Sequence, residues 1–231
     1  GGKDLELRGK LGARPEEDED EEEQFPDLPG FAPTPLATPR RFAFDDYAIG
    51  STPNAFEVAL GGHGATPRWI VVEGRGGRVL RQDSADRTGI HFPLAIATDS
   101  LVHDVVARVR VRYAGGEVDQ AGGIVLRYRD PGNYYVARVN AAEHDLRIFR
   151  VCNGLRRTLP GGIVQCPSAG SDWHTLEFRI EGSKLTATFD GAHTATAYDS
   201  FFLGGRCGLW TKSDSQTEFD DLEIEPLPAA K

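Results

Sequence analysis

Apolar and polar residues alternate with a period of two along most of the chain from Arg41 onward. Gly, Pro, Asn or Asp residues interrupt the alternation at short intervals, as in the Asp-Pro-Gly-Asn stretch between Arg129 and Tyr134. No long segment has a convincing 3.6-residue period. The pattern predicts about thirteen β-strands. An all-β chain of this kind folds as a sandwich or a barrel.

The stretch from Asp104 to Val151 predicts four consecutive antiparallel strands, DVVARVRVRY, AGGIVLRYR, NYYVARVN and DLRIFRV. Their arginines alternate with apolar residues, so we expect the arginines on one outward face, opposite Ile124, Leu126 and Tyr128. Besides Arg108, Arg110 and Arg112, that face is predicted to carry Arg127, Arg129, Tyr134, Arg138, Asn140, Arg147 and Phe149. Because neighbouring strands lie about 4.8 Å apart, these side chains would form one patch.

The chemistry of this predicted patch suits a carbohydrate. Planar guanidinium groups match the hydroxyl and carboxylate groups of a sugar, and neighbouring aromatic rings match its apolar face. We therefore predict a glycan ligand, which could be acidic. The alternative is that the arginines occupy the solvated face of a sheet and pair with nearby Glu and Asp.

The charge of the chain limits the choice of partner. The net charge of −9 argues against nucleic acid, because phosphate binding requires a positive surface. Residues 1 to 41 hold six Lys and Arg against eleven Asp and Glu, a balance of −5 that leaves −4 for the rest. The remainder is therefore nearly balanced, and the arginine patch can be locally positive.

Residues 1 to 40 have a different composition. They contain the acidic run PEEDEDEEEQ and the proline-rich stretch PDLPGFAPTPLATPR. Like charges repel and proline-rich spacers cannot pack a core, so we predict a disordered or extended arm before a domain at 41–231. An acidic interaction motif is the alternative. The chain begins with Gly-Gly and has no Met, which indicates processing that could have removed an export signal. No stretch approaches the roughly 20 apolar residues of a membrane-spanning helix.

The three cysteines leave two possibilities open. Cys152 and Cys166 flank a turn-rich segment that a disulfide could close, or all three thiols are reduced. Cys207 is in phase with Leu209, which predicts an unreactive position in the core.

Several longer stretches resemble a known superfamily. They include RWIVVEGRGGRVLRQ, DQAGGIVLRYRDPGNYYVARVNAAEHDLRIFRVCNG, DWHTLEFRIEGSKLTATFDG and GLWTKSDSQTEFDDLEI. Over residues 42 to 227 the chain is similar to bacterial domains of the concanavalin A-like lectin/glucanase superfamily, including laminin-G-like jelly rolls and relatives of family-16 glycoside hydrolases or 3-keto-disaccharide hydrolases. The resemblance implies a two-sheet antiparallel β-sandwich whose first and last strands are neighbours. It also implies a concave face that binds glycans in many relatives.

The sequence departs from the hydrolase pattern. Family-16 hydrolases carry E-x-D-x-(x)-E on one strand, because retaining chemistry needs two close carboxyl groups. The nearest match here is Glu117-Val118-Asp119, without the second glutamate. Glu117 and Asp119 are therefore weak catalytic candidates, and a solvated hairpin loop after Gly115 and Gly116 is the alternative.

Two acidic pairs lie near the ends of the predicted domain. Phe44-Asp45-Asp46 and Phe219-Asp220-Asp221 are near-copies, and the alternation slips after Phe219, which predicts a β-bulge. If the terminal strands are neighbours, the four carboxylates could converge on a structural Ca²⁺, which the resemblance also implies. Carboxylates bound to backbone amides of the bulge are the alternative.

Together these observations predict a jelly-roll sandwich that acts as a non-catalytic carbohydrate-binding module at or outside the cell envelope. A glycoside hydrolase-like enzyme and a laminin-G-like protein-interaction domain are the alternatives. Paired carboxyl groups in a cleft would favour the enzyme, whereas an aromatic and guanidinium platform would favour the binding module.

Overall fold

The computed structural model describes residues 35–167 and 169–228, and these residues form strands and loops without a helix. No helix in this part of the chain could therefore cross a membrane. The strands are β1 (Arg40–Phe42), β2 (Phe56–Gly62), β3 (Trp69–Gly74), β4 (Gly77–Gln82), β5 (His91–Ala97), β6 (Val105–Gly115), β7 (Ala121–Asp130), β8 (Asn133–Asn140), β9 (Asp145–Cys152), β10 (Leu155–Gln165), β11 (His174–Glu181), β12 (Lys184–Phe189), β13 (His193–Tyr198), β14 (Arg206–Thr211) and β15 (Gln216–Pro226).

The strands form two antiparallel sheets, as predicted. The eight-stranded sheet has the order β13-β12-β11-β6-β15-β4-β3, with β1 also pairing with β15. The seven-stranded sheet has the order β10-β9-β8-β7-β14-β5-β2. The pairing of β1 with β15 confirms that the first and last strands are neighbours.

The predicted run of four paired strands is wrong at its first step. Strand β6 pairs with β11 and β15 in one sheet, whereas β7 pairs with β8 and β14 in the other. The segment that contains Gly116, with a φ of 131°, carries the chain from one sheet to the other. Alternation assigns side chains to faces, but it does not identify the strand that pairs with them.

The arginines of β6 consequently lie on the outer face of the eight-stranded sheet. The carboxylates that they contact, at 2.6 to 3.3 Å, are Glu177 and Glu225 for Arg108, Asp220 and Asp221 for Arg110, and Glu218 for Arg112. For these three arginines the alternative of a solvated, charge-paired sheet face is correct.

Two hydrophobic clusters pack against the seven-stranded sheet. The larger cluster fills the space between the two sheets and includes Trp69, Tyr135 and Phe219. The second lies on the outer face of the seven-stranded sheet and consists of Phe92, Leu94, Ile96, Ala121, Val125, Tyr128, Tyr134, Val136, Phe149, Val151 and Trp210. This sheet is therefore buried on both faces across its middle. This burial on both faces explains why the sequence of β5, which is buried at all seven positions, shows no alternation of apolar and polar residues.

The seven-stranded sheet is strongly curved. Strand β8 is four strand spacings from β2, which is about 19 Å in a flat sheet. Yet a Cβ atom at Gly61 on β2 would lie 3.3 Å from the hydroxyl of Tyr134 on β8 and 3.0 Å from the carbonyl oxygen of Pro131. Such approaches require the two ends of the sheet to bend toward each other. The outer face of this sheet is therefore concave.

Some described residues before Arg41, where the sequence predicts that the domain begins, contact the sandwich. The Leu36 N–H donates to the Leu101 carbonyl oxygen at 2.8 Å, and the Leu36 side chain packs against the core between the sheets. Arg40 is paired with Ile224 in the first strand. Of the arm predicted at residues 1–40, residues 1–34 lie outside the described residues.

The cysteines are free thiols in the described part of the chain. Cys152 is half-buried, and Cys166 and Cys207 are buried. Burial raises the pKa of both buried thiols. The predicted core position of Cys207 is confirmed by its place in the cluster between the sheets.

Candidate functional site

The concave face of the seven-stranded sheet brings together much of the predicted patch. On β8, the side chains of Tyr134, Arg138 and Asn140 alternate with the core residues of that strand and lie on the concave side. The pairing of β8 with β9 sets Arg138 opposite Arg147 and Val136 opposite Phe149. We define the concave site as this face of β8 and β9 together with the side chains that cover it.

Arg127 does not belong to the concave site, contrary to the prediction. It has a φ of 50°, at a break in register between β7 and β8, so the side-chain alternation slips by one residue there. The guanidinium group turns to the loops at one end of the sandwich. It donates to the carbonyl oxygens of His103, Phe202 and Gly182 at 2.7 to 3.1 Å and pairs with Asp104 at 3.1 Å. Arg127 therefore links these loops, and each nitrogen atom of its guanidinium group already donates a hydrogen bond.

The same slip moves the residues that follow. Tyr128 was predicted to point inward but lies in the concave cluster, where its ring is 6.1 Å from that of Tyr134. Arg129 is exposed, and its guanidinium carbon is 6.0 Å from the ring of Phe202, near the loops that hold Arg127. Arg129 is thus also separate from the concave site.

An aromatic floor with a guanidinium group across it forms the centre of the concave site. Phe92 on β5 stacks on Trp210 on β14, with centroids 5.7 Å apart. The guanidinium carbon of Arg156, on β10, lies 4.8 Å from the ring of Phe92, 4.7 Å from that of Phe149 and 5.5 Å from that of Trp210. A cation over aromatic faces at these distances is a favourable cation–π contact. Arg156 thereby bridges strands that are far apart in the order of the sheet.

A network of charged side chains borders this floor. Arg138 donates to Asp145 at 2.8 Å and to Glu143 at 2.6 Å, and Arg147 pairs with Asp145 at 2.6 Å. Arg138 also lies 5.6 Å from the ring of Phe149. Burial raises the pKa of Glu143, but the hydrogen bond and charge of Arg138, with the charge of Arg147, outweigh this and hold it below its usual range. Glu143 is therefore a stable carboxylate near the surface.

The two weak catalytic candidates are separated in the structure. Asp119 is buried, accepts from Asn140 Nδ2 at 2.9 Å, and pairs with Lys212 at 2.5 Å. Glu117 is exposed and forms an ion pair with Arg87. Asp119 belongs to the polar border of the concave site, whereas Glu117 points to solvent. The pair does not form the two-carboxylate arrangement of a retaining glycosidase.

Several buried polar atoms of the concave site have no hydrogen-bond partner among the described residues. They are Tyr134 Oη, Arg138 Nε, Arg156 Nη1 and Trp210 Nε1. Burial raises the pKa of Tyr134; the nearby Trp210 indole opposes this rise, but its N–H does not reach the hydroxyl with hydrogen-bond geometry. Burial lowers the pKa of Arg156, and the charge of Arg138 lowers it further. Buried donors of this kind are uncommon in native proteins.

The predicted calcium site has a different arrangement from the one expected. The bulge at Asp220 and Asp221 is confirmed, but Arg110 contacts both carboxylates and Arg41 contacts Asp221. Asp45 accepts the Arg78 N–H at 2.8 Å, and Asp46 lines a separate pocket beside Arg41. Among the described residues, no group of three or more His, Cys, Asp or Glu side chains is arranged to hold a metal. The four carboxylates thus do not converge as a set.

Calcium binding by Asp45, Asp46, Asp220 and Asp221 stays a prediction. If calcium binds there, adding EDTA should lower the melting temperature. The free energy of unfolding should fall by about 2.7 kcal/mol if calcium was present at a hundredfold excess over its Kd. An unchanged melting temperature together with no metal by elemental analysis would contradict it.

Sequence reasoning missed the residues that complete the concave site from other strands. Arg156 lies in a stretch that was interpreted as a turn-rich loop but forms β10. Phe92 lies in the fully buried β5, and Trp210 and Lys212 lie at the end of β14 and just after it. The stretch Leu155-Arg156-Arg157 is too short to predict on which face of a strand Arg156 lies. Only the curvature of the sheet brings Arg156 to Phe92.

Comparisons with known proteins identify the fold. No protein-family model matches the chain, and no curated protein matches it. Among solved structures, carbohydrate binding module CBM66 from Bacillus subtilis superposes with a TM-score of 0.58 and 19% identity, covering 74% of this chain and 97% of that one.

Two enzymes superpose on the chain to a similar extent. A native glycosidic hydrolase has a TM-score of 0.57 and 14% identity, covering 85% of this chain and 100% of its own. A prokaryotic beta-1,3-1,4-glucanase (lichenase) derived from a mouse hindgut metagenome has a TM-score of 0.55 and 14% identity, covering 82% and 100%. At these identities the likeness shows the fold alone. The chain therefore shares with these proteins a two-sheet antiparallel jelly-roll fold.

Proposed function

We propose that the protein is a non-catalytic carbohydrate-binding module whose ligand binds at the concave site. The observation that carries this proposal is the combination on one curved face of an aromatic floor with a border of guanidinium, ammonium and carboxylate groups. The guanidinium group of Arg156 covers the buried rings and is held in place by them. Together with the charged border it supplies donors and acceptors for the hydroxyl groups of a sugar. A carbohydrate binding module is among the solved structures that share the fold.

The carboxylates of the site favour binding over hydrolysis. A glycoside hydrolase needs one carboxylic acid that stays protonated until it donates to the leaving group, which requires a raised pKa. Asp119 and Asp145 are each paired with a cationic side chain, at 2.5 to 2.8 Å. Glu143 is also paired, and its pKa is lowered. Such carboxylates are suited to position side chains and to accept hydrogen bonds from a sugar.

A glycan array, with reducing-sugar release measured in parallel, tests this proposal. We expect the purified protein to retain a subset of the glycans without releasing reducing ends. Release of reducing sugar from a bound glycan would instead support the glycoside hydrolase-like alternative. A protein that retains no glycan would contradict the proposal.

Paired variants then locate the binding face. Arg147 is one-third exposed at the border of the concave site, and Arg147→Ala is expected to weaken the best array ligand by about tenfold through loss of a charge-assisted hydrogen bond. Arg108→Ala is the matched control, because Arg108 is similarly exposed and ion-paired but lies on the outer face of the eight-stranded sheet. If Arg108→Ala weakens binding and Arg147→Ala does not, the ligand binds to the other sheet.

A further inference from the structure

We propose that the ligand of the concave site is an anionic saccharide and that its carboxylate or sulfate group is the counter-ion of Arg156. This inference rests on the proposed function and specifies the class of glycan.

The first argument is that Arg156 lacks a counter-ion. Its Nη1 atom is buried without a hydrogen-bond partner, and no carboxylate of the described residues lies within ion-pair distance of it. Arginine is seldom buried unless it is paired, because an uncompensated charge away from water costs several kcal/mol. The three aromatic rings around Arg156 offset part of this cost. An anion from outside the chain would offset the rest.

The second argument is that two of the other unpaired atoms can only donate. Arg138 Nε and Trp210 Nε1 are buried on the same face as Arg156, without partners among the described residues, whereas the Tyr134 hydroxyl can both donate and accept. Arg138 and Arg156 both contact the ring of Phe149, at 5.6 and 4.7 Å. A ligand beside Arg156 would therefore lie in donor-rich surroundings, which favour a group rich in acceptors. A carboxylate or a sulfate has several acceptor positions, whereas a sugar hydroxyl also has a proton to place.

The third argument is the balance of charge around the site. Its cationic side chains are Arg138, Arg147, Arg156 and Lys212, and its anionic ones are Asp119, Asp145 and Glu143. Every anionic member is already bound to a cation other than Arg156. The site therefore has one positive charge in excess, although the whole chain carries −9. An anionic ligand is attracted to this site and a cationic one is repelled.

The approach to Arg156 is open to a ligand. Arg156 is half-buried, and β10 is the edge strand of its sheet, with β9 as its paired neighbour. A saccharide can therefore contact the exposed part of the Arg156 side chain without separating paired strands.

The test compares acidic and neutral saccharides on the same backbone. The array should contain uronate-containing and sulfated oligosaccharides together with their carboxyl-reduced and desulfated counterparts. We expect the wild-type protein to bind an acidic member at least about tenfold more tightly than its neutral counterpart in calorimetric titrations. We expect this preference to shrink as the salt concentration is raised. Comparing the affinities for the uronate-containing and the sulfated oligosaccharides shows whether a carboxylate or a sulfate is recognised.

Variants at neighbouring positions of one strand assign the effect to Arg156. Arg156→Gln should remove the preference for the acidic member, and Arg156→Lys should recover part of it. Arg157→Gln is the control, because Arg157 is exposed and points to the opposite side of β10. The Arg157→Gln variant should prefer the acidic member as strongly as the wild type does. Melting temperatures of the variants establish that each is folded.

Equal affinity of the wild-type protein for the acidic and neutral members would overturn the inference. If the affinities are equal but Arg147→Ala still weakens glycan binding, the proposed function stands and only the preference for an anionic saccharide is wrong. Absence of binding to any saccharide on the array would overturn both. These outcomes are distinguishable without the Arg156 variants, so the test does not depend on their folding.

Discussion

Arg127, Arg138 and Arg156 lie on three strands of one sheet, and their guanidinium groups have different surroundings. Arg127 binds three carbonyl oxygens and Asp104 at the end of the sandwich. Arg138 binds two carboxylates, and Arg156 contacts aromatic rings and has no counter-ion among the described residues. Alternation alone treated Arg127 and Arg138 as equivalent and assigned no face to Arg156. Their different partners instead predict different effects of substitution.

Replacement of Arg127 by alanine is expected to destabilise the protein. The change leaves three carbonyl oxygens without their guanidinium donor and removes the ion pair with Asp104, which costs about 3 kcal/mol or more. Chemical denaturation of Arg127→Ala should show this loss. Arg129→Ala, on the same strand but exposed, should stay within about 0.5 kcal/mol of the wild type. If the two variants are equally stable, Arg127 does not join the loops as described.

Two adjacent tyrosines on β8 test whether the concave site contains unpaired donors. The Tyr135 hydroxyl donates to Asp199 and accepts the Phe202 N–H at 3.1 Å, whereas the Tyr134 hydroxyl has no hydrogen-bond partner among the described residues. Tyr135→Phe should therefore cost about 2 kcal/mol, and Tyr134→Phe should be neutral or slightly stabilising. Urea unfolding of both variants checks this. An equal cost for Tyr134→Phe would show that its hydroxyl is already satisfied in the free protein.

At the scale of elements, the sequence predicted which segments are strands better than it predicted how they pair. HTLEFRIE and KLTATF alternate cleanly because one face of the eight-stranded sheet is solvated. The seven-stranded sheet is buried on both faces, so β5 has no alternation to detect. The bulge at Arg127 shifts the phase by one residue, and nothing in AGGIVLRYR indicates it. Tyr134, Arg138 and Phe149 lie beyond that bulge, on strands with an unbroken phase, and their shared face was predictable.

The loop that holds Asp119 depends on one carboxylate from another element. Asp214 accepts the N–H groups of Glu117, Val118 and Asp119 at 2.9 to 3.2 Å. Burial disfavours its charged form, but these three donors outweigh burial and hold the pKa of Asp214 below its usual range. Asp214 therefore fixes the backbone from which Asp119 reaches Lys212 and Asn140.

Replacement of Asp214 by alanine should lower stability by about 3 kcal/mol, because three backbone donors lose a charged acceptor. Since its pKa is lower when folded than the unfolded value of 3.8, the stabilisation is fully present above that pH. It is lost as the pH falls through the folded pKa. The stability difference between wild type and Asp214→Ala, measured by urea unfolding, should therefore shrink at low pH. A difference that is independent of pH down to the acid range would contradict this role.

At the scale of the whole molecule, curvature converts a sheet face into a site. Phe149 and Arg156 lie on the neighbouring strands β9 and β10, and Trp210 and Phe92 lie on the neighbouring strands β14 and β5. A flat sheet would keep these two pairs of strands well apart. The same bending buries these rings, so the second hydrophobic cluster stabilises the curved shape, with roughly 1.5 to 3 kcal/mol for each large side chain removed from water. The fold class followed from the sequence pattern and the resemblance. The degree of curvature did not, since it depends on contacts between residues distant in the chain.

The limit of the folded domain gives a final prediction for the whole molecule. Two truncated proteins should be compared, one that begins at Pro35 and one that begins at Arg41. The shorter protein loses the Leu36 hydrogen bond to Leu101, the packing of Leu36 on the core, and the pairing of Arg40 with Ile224. We expect it to be about 2 kcal/mol less stable, because a buried apolar side chain and a hydrogen bond are both removed. For a domain of this size the melting temperature should fall by about 4 to 8 °C. Equal melting temperatures would mean that the contacts of Leu36 and Arg40 add nothing, and that the boundary at Arg41 predicted from the composition is the correct one.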